Sequence, residues 1–471
     1  MRKGLLVGVL SLAALPAAAQ DVPRSWTVAG DVAFIDVNVL PMDSERVLRA
    51  QTVVVSNGVI SAIGPTASTP VPAGATRVDA TGRYLMPGLA EMHGHVPAQP
   101  GQFQEDVLFL YVAAGATTVR GMQGHPAQLE LKRRAEAGEI IAPRLWLAAP
   151  PLSGNNVPDA AAADRLVRAA KDAGFDLLKV HEGISADAYE AIAMTATEVG
   201  LPWGGHVSQY VGVEGALRAR QSTIDHIDDY IEALNPPSSP GWNASGGERV
   251  RLMALNADAS RIPELARATR EAGVAIVPTQ ILWEVLRGAR DPAAMLDRVE
   301  NRYMAPMQIT GWTNTVNNIR QGADPAAAAR EVELRNELLR AMNDEGVLIL
   351  MGTDAPQLFS VPGFSLHREL PVMVEAGMSP YEVMRSGTVN VARFFGIEDE
   401  AGTVAPGRRA DLLLLEANPL DDIGAVERIA GVMIDGRWLS GEAIRDRLNA
   451  IAAKHAGAAA PGGSQEAGQP R

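Results

Sequence analysis

Apolar and polar positions along this chain change their period twice. From about Trp26 to Arg83 short β-rich runs (Val32–Val39, Thr52–Val55, Ile60–Ile63) alternate with turn residues, and Asn57-Gly58 is a hairpin dipeptide. The same texture returns in Gly402-Thr403-Val404, Ala410–Leu415 and Val432–Trp438. Two β-rich ends predict one small β-sandwich domain assembled from residues 21–85 and 400–445. The chain between them alternates strand and helix. Strands are expected at Gly88–Val96, Thr117–Met122, Leu145–Ala149, Leu177–Glu182, Trp203–Val207, Thr223–Asp228, Ala275–Thr279 and Leu348–Asp354. Helical patterns lie between them, among them Ala161–Ala173, Ala186–Val199, Val213–Arg220 and Pro263–Ala272. Eight such alternations predict an α/β fold, a (β/α)8 TIM-type barrel over residues 86–399.

One later helix has an explicit start. Ser379 is the N-cap, Pro380 the first helical residue, and Glu382 completes a capping box. Two stretches exceed an ordinary connection. Residues 235–260 are rich in Pro, Ser, Gly and Asn, and 281–344 form a long, largely helical insertion after the seventh strand. Both would emerge on the C-terminal face of a barrel, as a lid or as plain surface elaboration. Residues 456–471 read as a disordered tail.

The first twenty residues stand apart. Arg2 and Lys3 precede an apolar run from Gly4 to Leu15, and Ala17-Ala18-Ala19 supplies small residues for cleavage. This is the pattern of a secretory signal peptide, expected over residues 1–20, and a secreted or periplasmic protein is expected with it. The run is shorter than the roughly 20 apolar residues a span requires, so no membrane span is expected after cleavage. Of the 471 residues, 47% are hydrophobic and 21% charged, which is enough apolar material for a sizeable core. The net charge is −13 with no basic patch, which argues against nucleic acid as a partner. With no cysteine, disulfides and thiolate chemistry are excluded, so any metal needs imidazole or carboxylate ligands.

Candidate ligands are present. In Pro87-Gly88-Leu89-Ala90-Glu91-Met92-His93-Gly94-His95, two histidines sit two residues apart on a strand and face the same side, so both can chelate one ion. Lys179, His206, His226 and Asp354 fall at the ends of other expected strands. Each alone has a bland reading as a solvated strand end or a core histidine. Six polar groups at one barrel mouth would be costly unless paired or coordinated. Barrel strand ends are also where catalytic groups gather.

These residues, together with Asn57–Gly64, Gly115–Arg120, Gly352-Thr353-Asp354, Gly402–Gly407 and Ala410-Asp411-Leu412, resemble the amidohydrolase superfamily. The likeness is to its imidazolonepropionase-like branch, which includes prolidase-type and ochratoxin-hydrolysing enzymes. The resemblance implies two divalent metal ions, expected to be zinc. His93, His95 and Asp354 would hold the first, and His206 and His226 the second. Lys179, N6-carboxylated by carbon dioxide, would bridge them; a free ammonium cannot ligate. It further implies hydrolysis of an amide or peptide-like C–N bond, of the dipeptidase or N-acyl-amino-acid type, by a hydroxide bridging the metals, with Asp354 as catalytic proton acceptor and donor. The partner is then a small-molecule amide or peptide substrate, and homo-oligomers are open.

Asp225, Asp228 and Glu182 are candidates to orient the imidazoles. His181, two residues after Lys179, and Tyr230, beyond His226, are expected to bind substrate. His125, His367, Arg368 and Arg120 are left without a role. The run Gly363–His367 breaks a G-x-S-x-G elbow, and His181-Glu182 lacks the second histidine of a H-E-x-x-H motif. Two alternatives stay open: a mononuclear cyclic amide hydrolase or deaminase, and a non-catalytic binding protein on the same scaffold.

Overall fold

The computed structural model describes residues 28–458. The expected signal peptide lies outside the described residues, as does most of the expected tail. The first residues of that tail instead continue a terminal helix, Gly441–Ala458. No helix among the described residues is long and apolar enough to cross a bilayer.

The described residues hold fifteen strands: β1 (Val32–Val39), β2 (Leu48–Ser56), β3 (Val59–Pro65), β4 (Thr76–Asp79), β5 (Tyr84–Pro87), β6 (Leu89–Gly94), β7 (Ala116–Gly121), β8 (Arg144–Leu147), β9 (Leu178–Val180), β10 (Trp203–Gly205), β11 (Thr223–Asp225), β12 (Ala275–Val277), β13 (Leu412–Leu415), β14 (Ile429–Ile434) and β15 (Arg437–Ser440). The chain ends do combine. β1–β5 and β13–β15 form one hydrogen-bonded sheet of eight strands, ordered β15-β14-β13-β5-β1-β2-β3 with β4 on β1, where a sandwich was expected. Its core includes Phe34 edge-on to Trp438 at 5.0 Å. Asn57 (φ 54°) and Gly58 (φ 77°) make the anticipated β2–β3 hairpin turn, since both positions need left-handed backbone. Two expectations fail here. Gly402-Thr403-Val404 is not a strand, and Val432–Trp438 is two strands folded at Asp435-Gly436 (φ 46° and 71°).

The middle of the chain holds two parallel sheets, β6-β7-β8 and β9-β10-β11-β12. Parallel bridges join Ala148 to Leu177, Ile276 to Ile349, and Gly94 to Ala355. The segment 348–355 therefore lies between β12 and β6. The Met92 N–H donates to the Met351 carbonyl (2.8 Å), and the Asp354 N–H donates to the His93 carbonyl (2.6 Å).

Strand alternation sorts the side chains. On β6, Ala90 and Met92 pack with Ala275, Val277, Leu350 and Val391, so Glu91 and His93 take the opposite face. On β9 and β11, Leu178, Val180 and Ile224 join the main core, leaving Lys179, Thr223 and Asp225 to face the same interior as His93. The stretch 235–260, expected as a loop, contains a helix, Gly246–Asn256. The insertion after β12 is helical as anticipated and ends in the twenty-residue helix Pro325–Asp344. The Ser379 capping box is complete.

Gly352 is where strand packing reaches the interior polar groups. A methyl group there would stand 2.6 Å from Val277 Cγ1 and 2.8 Å from the His93 backbone nitrogen. Backbone cannot swing aside, so Gly352→Ala is expected to cost about 1–3 kcal/mol, measured as a lower denaturant midpoint with unchanged slope. A wild-type midpoint would refute this packing.

Candidate metal centre

His93 is fully buried and held from below. Its Nδ1 lies 2.6 Å from Asp225 Oδ2, and the same oxygen accepts a hydrogen bond from Arg120 Nη2 at 2.7 Å. Arg120 also donates to Thr223 Oγ1 (3.0 Å). Orientation by Asp225 leaves His93 Nε2 facing up, 3.6 Å from Asp354 Oδ1 and 3.2 Å from Lys179 Nζ. His95 Nε2 approaches the same Asp354 oxygen at 3.0 Å, and His226 Nε2 lies 3.7 Å from Asp354 Oδ2. The rings continue in series, His93 to His226 at 4.5 Å between centroids, His226 to His206 at 4.7 Å, and His206 to His181 at 4.3 Å. His206 Nδ1 is 3.1 Å from Asp228 Oδ2, and His226 Nδ1 is 2.8 Å from Thr279 Oγ1.

All six expected ligands and His181 line one cavity of about 330 Å³. One donor atom each of His93, His95 and Asp354 converges within 4.8 Å. Asp354 Oδ1 is buried without an aligned hydrogen-bond donor. Such an orphaned anionic oxygen among imidazole lone pairs fits a divalent cation.

Electrostatics agree. Burial, reinforced by the Lys179 charge, holds His93 well below its ordinary pKa. Burial, with His93 and His206 adding to it, does the same to His226. Both rings are therefore neutral, as ligation needs. Burial pushes the Lys179 ammonium down against the opposing pull of Asp225 and Asp354. Burial raises Asp354, but the neighbouring His93, His95 and Lys179 outweigh it and leave its carboxyl below the usual range. Loss of solvent on its packed side, with His206 and Lys179 beside it, lowers His181 to about 4.

Three residues at this site, His226 (φ 68°), Thr279 (φ 46°) and Asp354 (φ 61°), hold left-handed backbone without being glycine. Each such residue costs on the order of 1–3 kcal/mol and persists where surrounding structure enforces it, commonly at functional sites.

Residues 84–439 match the sequence profile of the Amidohydrolase family. The chain belongs to that family. A 5-methylthioadenosine/S-adenosylhomocysteine deaminase of Symbiobacterium thermophilum is 23% identical over 80% of this chain and 84% of its own. The bottromycin amidohydrolase structure superposes with a TM-score of 0.69 at 26% identity, covering 91% of each chain. A Xaa-Pro dipeptidase structure, 18% identical, superposes with a TM-score of 0.63 over 87% of this chain and 100% of its own, a likeness of fold.

In this amidohydrolase the remaining candidates divide. Asp225 and Asp228 contact imidazoles, while Glu182 only lines the wall and donates its backbone N–H to His181 Nδ1 (3.0 Å). Tyr230 is a correction: it is fully buried, and its hydroxyl pairs with Thr269 Oγ1 at 2.6 Å, away from the cavity. His367 bonds the Ala114 carbonyl (2.9 Å), and Arg368 pairs with Glu300 (2.9 Å). Sequence reasoning missed Trp283 and Gln357, which line the cavity. It also missed Glu91, a buried carboxyl accepting from the His93 N–H (3.0 Å) and the Thr353 N–H (2.8 Å). The signal for Glu91 was its even spacing from His93 and His95. A second chamber of about 270 Å³ adjoins, sharing Glu182, His226 and Trp283 with the first.

Burial pushes Glu91 from an ordinary 4.5 up to about 8. An acid raised on folding binds a proton that the unfolded chain has released, so its contribution to stability falls as pH rises between those two values. In metal-free protein, Glu91→Gln should therefore gain stability over wild type from about pH 5 to about 8, then hold level. Thermal melting across pH tests this; a difference independent of pH would contradict it.

Proposed function

We propose that the chain is a binuclear hydrolase of an amide or peptide-like C–N bond, a dipeptidase or N-acyl-amino-acid hydrolase. The eight parallel segments from β6 to residues 348–355 are read as one (β/α)8 barrel carrying the site at its strand ends. The observation that carries the reading is the convergence of His93, His95 and Asp354 beside Lys179, with His206 and His226 on the same cavity wall. His93, His95 and Asp354 would hold one cation and His206 and His226 the other, with Lys179 as a carbamate between them. Zinc suits this donor set.

Bound cations supply Lewis acidity and lower the pKa of water in their reach toward neutrality. The chain's own residues do the rest. Asp225 and Asp228 fix the tautomers of His93 and His206. Asp354, whose carboxyl sits within 3.0 Å of His95 Nε2, accepts the proton of the attacking water and returns it to the leaving amine. Trp283 and Leu282 give the cavity an apolar wall, and the adjoining chamber would give room for a substituent of the substrate.

A second reading, deamination with a single metal, has its support in the deaminase names among sequence relatives. Lys179 in the ligand cluster favours two metals. The two readings separate on products and metal count. Purified protein is expected to hold two zinc equivalents, Lys179→Ala to hold fewer, and dipeptides or N-acyl amino acids to release a primary or secondary amine. Asp354→Asn should lower kcat by about 10²–10⁴-fold with KM nearly unchanged. Ammonia release from a purine, with one metal in both wild type and Lys179→Ala, would reject the proposal.

A further inference from the structure

The helix Pro325–Asp344 closes the long insertion after β12, and one of its residues reaches the metal centre. Arg335 is 3% exposed and spends its guanidinium on three acceptors. Nη1 donates to the His226 carbonyl at 2.7 Å, Nη2 to the Pro278 carbonyl at 2.9 Å, and Nε to Gln280 Oε1 at 2.9 Å. The planar fork suits this task, because its N–H groups point in fixed directions that a flexible ammonium cannot reproduce. Gln280 is itself anchored, since its backbone N–H donates to the buried Glu369 carboxyl at 2.7 Å and its Nε2 to Asn336 Oδ1 at 3.0 Å.

These bonds meet backbone that resists its own conformation. His226 (φ 68°) and Ile227 (φ 52°) at the exit of β11, and Thr279 (φ 46°) at the exit of β12, are all left-handed. L-residues keep such angles only where neighbours enforce them. Apart from Arg335 on its carbonyl, His226 donates its N–H to the Val277 carbonyl (2.6 Å), and its Nδ1 meets Thr279 Oγ1 (2.8 Å). With those three polar positions engaged, Nε2 is aimed into the cavity toward Asp354 Oδ2 at 3.7 Å.

We propose that Arg335 is a positioning residue for the second metal: from the insertion, it locks the β11 and β12 exits together and holds His226 Nε2 in its ligating direction. The insertion is then a fixed buttress of the centre. This rests on the binuclear reading above.

The test is a zinc titration of chelator-stripped protein by calorimetry, with melting of the metal-free forms alongside. Arg335→Met keeps the stem and meets no acceptor; Arg335→Lys can meet one. Glu331→Gln serves as the control. Glu331 is on the same helix, is equally buried, and bonds Arg287 Nε (2.6 Å) rather than His226. Removing an outer partner of a ligand typically costs about 10–100-fold in metal affinity. Arg335→Met should weaken the second equivalent by that factor and leave the first unchanged, with Arg335→Lys between it and wild type. Glu331→Gln should lower the melting temperature without changing the second equivalent. If Arg335→Met fails to fold, Arg335→Lys decides alone. Wild-type binding of the second equivalent in the Arg335 variants, or equal losses in them and in Glu331→Gln, would overturn the proposal while leaving two metals in place. A wild-type protein that takes up one equivalent would overturn the underlying reading as well.

Discussion

The buried contact of His93 with Asp225 is the constraint on which the rest of the site depends. A fully buried carboxylate needs compensation, and Asp225 receives it at Oδ2, which Arg120 Nη2 and His93 Nδ1 both approach. That pairing turns His93 so that Nε2 emerges beside Asp354 and Lys179. Five strands or strand exits contribute to this one arrangement: β6 through His93, β7 through Arg120, β9 through Lys179, β11 through Asp225, and the segment 348–355 through Asp354. The sheet order that brings them together is thus also what assembles the chemistry.

A cost accompanies the assembly. Several imidazoles and acids are crowded out of water, and His226, Thr279 and Asp354 sit in left-handed backbone. Ordinary folding would select against each of these features. They make sense together if cations complete the electrostatic balance when bound. The metal-free arrangement keeps His93 and His226 neutral and Asp354 ionised, the protonation states that ligation requires.

Much of this was legible in the sequence, for physical reasons that can be named. The period-2 spacing of His93 and His95 put both on one face, and strand-end positions brought Lys179, His206, His226 and Asp354 to the same cavity. Tyr230 was misplaced because the backbone turns through Ile227 (φ 52°) and Asp229 (φ 64°), which sends its ring back into the core; spacing along a chain does not reveal such a turn. The β14–β15 hairpin was readable from Asp435-Gly436, as the earlier one was from Asn57-Gly58, but the flanking apolar residues masked it as one strand. The helix Gly246–Asn256 was hidden by the Pro, Ser and Gly before it. The Arg335 contacts cross more than a hundred residues to a backbone carbonyl, an acceptor every residue carries, so no side-chain pattern could announce them.

The most direct test of the central claim is anomalous diffraction at the zinc edge from crystals grown with zinc and bicarbonate. The account predicts two peaks in the cavity, one among His93, His95 and Asp354 and one at His206 and His226, with extra density on Lys179 Nζ joining them. A single peak with an unmodified Lys179, or zinc bound elsewhere, would contradict it.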